Sequence, residues 1–211
     1  MHGLARTNRS MHKIEAALQN AGFKTYNCSY PSRTQPIQLL SETFIGQAVT
    51  YCEKAYNPGR IHFVTHSMGA ILVRYYLSLH RLENLGSVVM LAPPNAGSEL
   101  VDRLSGYELF RLFNGPAGNQ LGTAESSLPN SLPAVGYKVG IIAGNKNLNV
   151  LASALIGTEN EGKVSTKNTK LDGMTDYIVL PYTHTFIMQR KEVIDQTINF
   201  LKNDRFFCFN R

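Results

Sequence analysis

The sequence predicts an α/β fold in one domain, a mostly parallel sheet covered by helices on both faces. Helical and strand-like segments alternate along the chain, the order that builds such a sheet. Of the 211 residues, 43% are hydrophobic and 17% charged, enough to fill one substantial core and unlike a disordered chain. A buried apolar run, Ile61-His62-Phe63-Val64, passes directly through Thr65-His66-Ser67-Met68-Gly69 into a helical stretch. This strand-turn-helix junction places a serine above the carboxyl ends of the strands.

The elements follow in order. Ser10 can cap a helix carrying Met11, Ile14, Ala17 and Leu18 on one face and ending at Gly22. Phe23 to Tyr30 alternates apolar and polar residues and reads as a strand, closed by Pro31. Pro36 opens a helix with Ile37, Leu40, Phe44, Ala48 and Cys52 at helical spacing, broken by Pro58-Gly59. After the Ile61–Val64 strand, a helix runs from about Met68 to His80. Val88 to Ala92 is a strand stopped by two prolines; Tyr137 to Ala143 and Tyr177 to Leu180 are two more. Val193, Ile194, Ile198 and Leu201 mark a last helix near Lys191–Leu201. There is no internal repeat.

Lys and Arg exceed Asp and Glu by 21 − 15 = 6, a net charge of +6. The basic residues, Arg6, Lys13, Lys54, Arg103 and Lys170 among them, are scattered. No basic stripe interleaves with aromatics, so nucleic acid is not the expected partner. The charge reads as a solvated surface, with weak attraction to an anionic membrane surface as a secondary reading. Cys28, Cys52 and Cys208 lack metal-ligand spacing and are expected as buried thiols, although Cys28 and Cys52 could meet. No signal peptide and no bilayer-length apolar run is present.

The usual elbow pattern is G-x-S-x-G, because the crowded turn tolerates only small flanking residues. Gly69 obeys it and Thr65 does not. A serine nucleophile needs a base, an acid that orients the base, and donors for the oxyanion. His184 follows the last strand and is the expected base; the other five histidines sit in helices, in the strand, in the elbow or at the start. Glu161, in the turn Asn160-Glu161-Gly162-Lys163-Val164, is the preferred acid. Glu159, Asp172 and Asp176 stay open as alternatives. The N–H of Met68 is one expected oxyanion donor. The N–H of Leu4, after the flexible Gly3 of Met1-His2-Gly3-Leu4, is the second.

These stretches together resemble the bacterial lipase/esterase group of the α/β-hydrolase superfamily, often labelled triacylglycerol lipase or acetyltransferase and hydrolase. The matching segments are HGLARTNRSM, VTHSMGAILVRYYL, LAPPNAGSELVD, GPAGNQLGT, GIIAGNKN, EGKVSTKNTKLDGM and LPYTHTFIM, in the family's order across nearly the whole chain. The resemblance implies the α/β-hydrolase fold with a small helical cap, Ser67 as nucleophile, Glu161 as acid and His184 as base. Members usually carry Asp where Glu161 stands. Relatives also carry an aliphatic strand immediately before His-Gly, often behind a signal or anchor segment. That strand is missing before His2, so a longer protein read from an internal start is expected, and localisation rests on upstream residues.

The cap is placed at about residues 98–133, within a single domain spanning 1–211. There Leu104, Leu109, Phe110, Leu112 and Phe113 form an apolar patch, read either as a lid or as helices packed on the sheet edge. The tail Phe206-Phe207-Cys208-Phe209 is expected to pack beside the last helix. The function expected is ester hydrolysis through a Ser-His-Glu triad and an acyl-enzyme, without cofactor or metal, on a small-molecule ester or lipid. The alternatives are an acyltransferase or thioesterase using the same triad, and a non-catalytic relative that binds lipid or a partner.

Overall fold

The structure, a computed structural model, describes residues 1–146 and 164–207. Four strands, β1 (Ile61–His66), β2 (Leu85–Leu91), β3 (Val139–Gly144) and β4 (Asp176–Leu180), lie side by side in chain order, all parallel. The register pairs Thr65 with Met90, Met90 with Ile141 and Ile142 with Ile178. Successive strand residues point to opposite faces. Ile61, Phe63, Val88, Met90 and Ile141 therefore enter one core, and Val89, Leu91 and Ile142 the other. A sheet buried on both faces needs apolar residues at consecutive positions, and β3 supplies them with six buried residues in a row.

The helices divide between the two faces. One core is closed by α2, where Ile37–Leu40, a π-helical turn Ser41–Ile45 and Gly46–Tyr56 run on continuously, and by α3 (Met68–Leu79). The other is closed by α1 (His12–Asn20) and the last helix, Lys191–Asn203. Between β2 and β3 lie α4 (Glu99–Leu104), α5 (Glu108–Asn119) and α6 (Leu128–Ser131). Short α7 (Thr166–Thr169) precedes β4, and the last helix is α8.

Two expectations need correction. Ser10 does not cap α1: it lies inside a 3-10 turn, Asn8–Met11, and its hydroxyl donates to Thr7 O at 2.8 Å. Residues 23–30 form no strand. A strand needs a neighbour to complete its ladder; this segment instead borders a groove of about 360 Å³ along the outer edge of β1, through Phe23, Thr25 and Tyr26. Only Met1 pairs on that edge among the described residues. Its N donates to Val64 O at 2.9 Å and its O accepts from His66 N at 3.1 Å, a single parallel bridge opposite Thr65.

Cys28 and Cys52 are free thiols, and burial raises the pKa of both. Cys208 lies outside the described residues. Phe206 packs against Phe200 with ring centroids 4.9 Å apart, while Phe207 is half exposed. No helix among the described residues is long and apolar enough to cross a membrane.

Candidate active site

Ser67 joins β1 to α3 with φ 53° and ψ −126°. A non-glycine residue there is strained, and the strain persists because its surroundings over-determine it. Ser67 N donates to Leu91 O at 2.9 Å, extending the ladder with β2 by one residue. The chain then turns at once into α3, which holds Ser67 at the carboxyl end of the sheet. Thr65, in place of the usual glycine, is fully buried and donates its hydroxyl to Val89 O at 3.3 Å. Its polar atom is satisfied, so the substitution leaves no unmet donor in the core.

Gly69 fits for a different reason. A Cβ there would lie 2.8 Å from His2 O, so only glycine lets the Met1–Leu4 segment pass this close to α3. Gly3 repeats the logic: a Cβ on it would meet Ser67 Cβ and His66 Nδ1 at 3.0 Å. Leu4 follows immediately, beside the elbow, and Met68 is the first residue of α3. The opening N–H groups of a helix have no intrahelical acceptor and carry the positive end of its dipole. Both expected oxyanion donors thus belong to segments touching Ser67.

His2 buttresses this loop. It is fully buried, its ring stacks on Tyr30 at 4.0 Å, and Tyr30 OH donates to His2 O. Tyr30 N donates to Nε2 at 3.2 Å, so Nε2 is the unprotonated nitrogen and Nδ1–H donates to Gly3 O at 2.9 Å. Burial pushes its pKa from 6.5 down to about 4, fixing the neutral ring. Arg6 ties the same loop to the far side of the site, its Nη2 donating to Thr185 O at 2.9 Å.

His184, in the loop after β4, is 4% exposed, and its Nε2 lies 2.9 Å from Ser67 Oγ. Two residues 117 positions apart are at hydrogen-bonding distance. Glu161 and Glu159 lie outside the described residues. Asp176 opens β4, and its carboxylate accepts from Tyr177 N and Phe206 N. Because the strands are parallel, it sits at the sheet end opposite Ser67. Asp172 sits at that same opposite end, its carbonyl accepting from Val135 N ahead of β3. Neither alternative acid reaches the imidazole, which the sequence order did not reveal.

Arg74, on α3 and 4% exposed, donates Nη1 to Asn95 O at 3.0 Å, and Asn95 donates to Thr169 O at 2.8 Å. Burial lowers its pKa to about 10. This chain of bonds ties α3 to the loop after β2 and to α7. Nothing in the spacing of these polar residues announced it. Among the described residues, no group of three or more His, Cys, Asp or Glu side chains could hold a metal ion.

The stretch expected as the cap contains α4, α5 and α6. Gly115, at φ 68°, kinks α5 where a Cβ would collide with Arg33 O at 2.0 Å. Past the kink, Gly118 packs so tightly on Leu4 that a Cβ would come 2.8 Å from its Cδ2. Before the kink, Tyr107, Leu109, Leu112 and Phe113 are 65%, 82%, 79% and 58% exposed. The stretch from α4 to α6 thus adjoins the Met1–Leu4 segment and turns an apolar face to solvent.

No protein-family model and no curated protein sequence matches the chain. Solved structures do. Lipase BlEst2 of Bacillus licheniformis in its mature form superposes with a TM-score of 0.68 at 20% identity, over 89% of this chain and 84% of that one. Phospholipase PlaB of Legionella pneumophila gives 0.66 at 20% identity, over 81% and 44%. A lipase-esterase related protein of Clostridium acetobutylicum gives 0.55 at 16%, over 95% and 92%. The chain spans under half the length of that PlaB structure. At these identities the likeness speaks to architecture. The parallel sheet, the strained serine elbow and these neighbours together establish an α/β-hydrolase fold.

Proposed function

We propose that the protein is a serine hydrolase that cleaves carboxylic esters through an acyl-enzyme. The 2.9 Å approach of His184 Nε2 to Ser67 Oγ, at a strained strand-to-helix turn, carries this reading. Ser67 is partly exposed beside a buried His184, an accessible hydroxyl with a sheltered base.

His184 takes the Ser67 proton as Oγ attacks the ester carbonyl carbon. The N–H groups of Leu4 and Met68 hold the resulting oxyanion, supported by the amino end of α3. Collapse breaks the bond to the alkoxy oxygen, and His184 protonates the departing alcohol. Water then gives a proton to His184 as it attacks the acyl carbon; collapse breaks the bond from that carbon to Oγ, and His184 returns the proton to Oγ as the acid leaves. Glu161 is assigned to orient the imidazole. No step requires a cofactor. Acyl transfer and thioester cleavage share the first half of this scheme; a non-catalytic lipid binder would keep the fold without an activated Ser67. The exposed apolar cap face favours a lipid-bearing substrate met at a surface.

A fluorophosphonate probe tests this directly. Labelling at Ser67, abolished in Ser67→Ala and strongly slowed in His184→Ala, is the expected result. Absence of labelling in folded protein refutes an activated nucleophile. Adding an alcohol acceptor and analysing the products separates hydrolysis from transfer.

A further inference from the structure

The residue immediately before the nucleophile has no part in the chemistry just described, yet it touches both His184 and the turn at Gly3. His66 is 1% exposed. Its Nε2 lies 2.9 Å from the carbonyl oxygen of His184, across 118 residues of sequence. A carbonyl only accepts, so His66 Nε2 carries the hydrogen. The two imidazoles face each other with centroids 5.0 Å apart and planes at 52°. On its other side, His66 Nδ1 stands where a Cβ on Gly3 would come within 3.0 Å. One rigid ring is thus wedged between the loop that presents the base and the loop that presents Leu4.

We infer that His66 is a positioning residue, whose Nε2–H anchors the His184 backbone and sets the imidazole at proton-transfer distance from Ser67. The inference rests on the serine-hydrolase reading above. The physical case is one of leverage. His184 sits in a loop after β4, and β1 and β4 lie at opposite edges of the sheet. Across that width, small displacements of two intervening strands accumulate at the imidazole. A direct bond from the residue next to Ser67 to the backbone of His184 bypasses the sheet and references the base to the nucleophile. Losing it leaves substrate binding untouched, because His66 is buried, and lowers only the rate of the step that needs the Ser67–His184 geometry.

Three substitutions separate donor, shape and reach. His66→Phe keeps a planar ring and removes the donor. His66→Gln places an amide N–H where Nε2 stands. His66→Asn carries the same amide on a shorter arm. Each is assayed on a soluble p-nitrophenyl ester for kcat and KM, with fluorophosphonate labelling and a melting curve alongside. Misplacing a catalytic group by about 1 Å costs on the order of 100-fold, so His66→Phe is expected to lose about 10- to 100-fold in kcat. KM is expected to stay within about twofold, as for an interaction realised only in the transition state. His66→Gln is expected to recover most of the loss and His66→Asn little of it.

A His66→Phe enzyme with wild-type kcat overturns the inference. So does a folded His66→Gln enzyme no faster than His66→Phe. If His66→Phe does not fold, the Gln and Asn pair decides: equal activity refutes the anchoring role, and a clear advantage for Gln supports it. Wild-type protein that neither labels nor turns over ester sinks the hydrolase reading itself, and this inference falls with it. Labelled wild type with indifferent variants sinks the inference alone.

Discussion

Acidification should unlatch the loop that carries Leu4, and His2 sets the pH at which this happens. The neutral ring is part of the structure: Nε2 accepts from Tyr30 N while Nδ1–H serves Gly3 O. Protonating Nε2 turns that acceptor into a donor facing another donor, inside a fully buried stack. Burial holds the folded-state pKa at about 4 against 6.5 in the unfolded chain. A depressed histidine pKa means that the unfolded state binds more protons between these values, so stability is whole above pH 6.5 and drains as pH falls toward 4. The full difference corresponds to about 3 kcal/mol, and about 2 kcal/mol is lost by pH 5. Burial also lowers the pKa of His62, which adds to the slope in the same direction. His2→Gln isolates the share of His2, because its amide oxygen can accept from Tyr30 N and does not titrate. Urea unfolding of both proteins between pH 5 and 7.5 should show the wild type losing about 2 kcal/mol more than the variant. A wild-type-to-variant gap that stays constant across this range refutes the reasoning.

Three further outcomes are expected. Ser67→Gly should be more stable than Ser67→Ala by about 1 kcal/mol in denaturant unfolding, the reverse of their ordinary order, because glycine relieves the φ 53° strain. An Ala variant of equal or greater stability would show that the elbow stores no strain. Gly69→Ala places a methyl group 2.8 Å from His2 O. Despite the better helix propensity of alanine, it should lose about 1–3 kcal/mol of stability and slow turnover by displacing Leu4. Replacing Leu109, Leu112 and Phe113 together by serine should weaken sedimentation with phospholipid vesicles by at least about tenfold, roughly 1.4 kcal/mol. Hydrolysis of a soluble short-chain ester should be spared. Unchanged vesicle binding would refute the lipid-contact role of the cap face.

How far these sites could be read beforehand depended on whether their signal was local. Ser67 was legible because a strand, a tight turn and a helix leave a contiguous trace, with Gly69 marking the close approach. His184 was singled out through chain order, as the histidine that follows the last strand, and it lies 2.9 Å from Ser67 Oγ. Residues 23–30 misled because alternation records a pattern of side chains and says nothing of whether a neighbouring strand exists. Asp172 and Asp176 stayed open as acids because sequence distance does not tell which end of a parallel strand a residue occupies. His66 showed no signal at all: its partner is a backbone carbonyl, and every residue has one.

The sequence by itself determined the α/β alternation, the helices on both faces and the serine at the strand-helix junction. These follow from the periodicity of apolar residues and from local steric rules, which act over a few positions. Only the tertiary structure decided that His184 meets Ser67 at 2.9 Å, that His2 locks neutral against Tyr30, and that Asp176 faces away. Those relations depend on how distant segments settle against one another, where a shift of an ångström makes or breaks a hydrogen bond. Hydrophobic patterning chooses which surfaces come together, and close packing of the assembled core chooses which polar atoms meet.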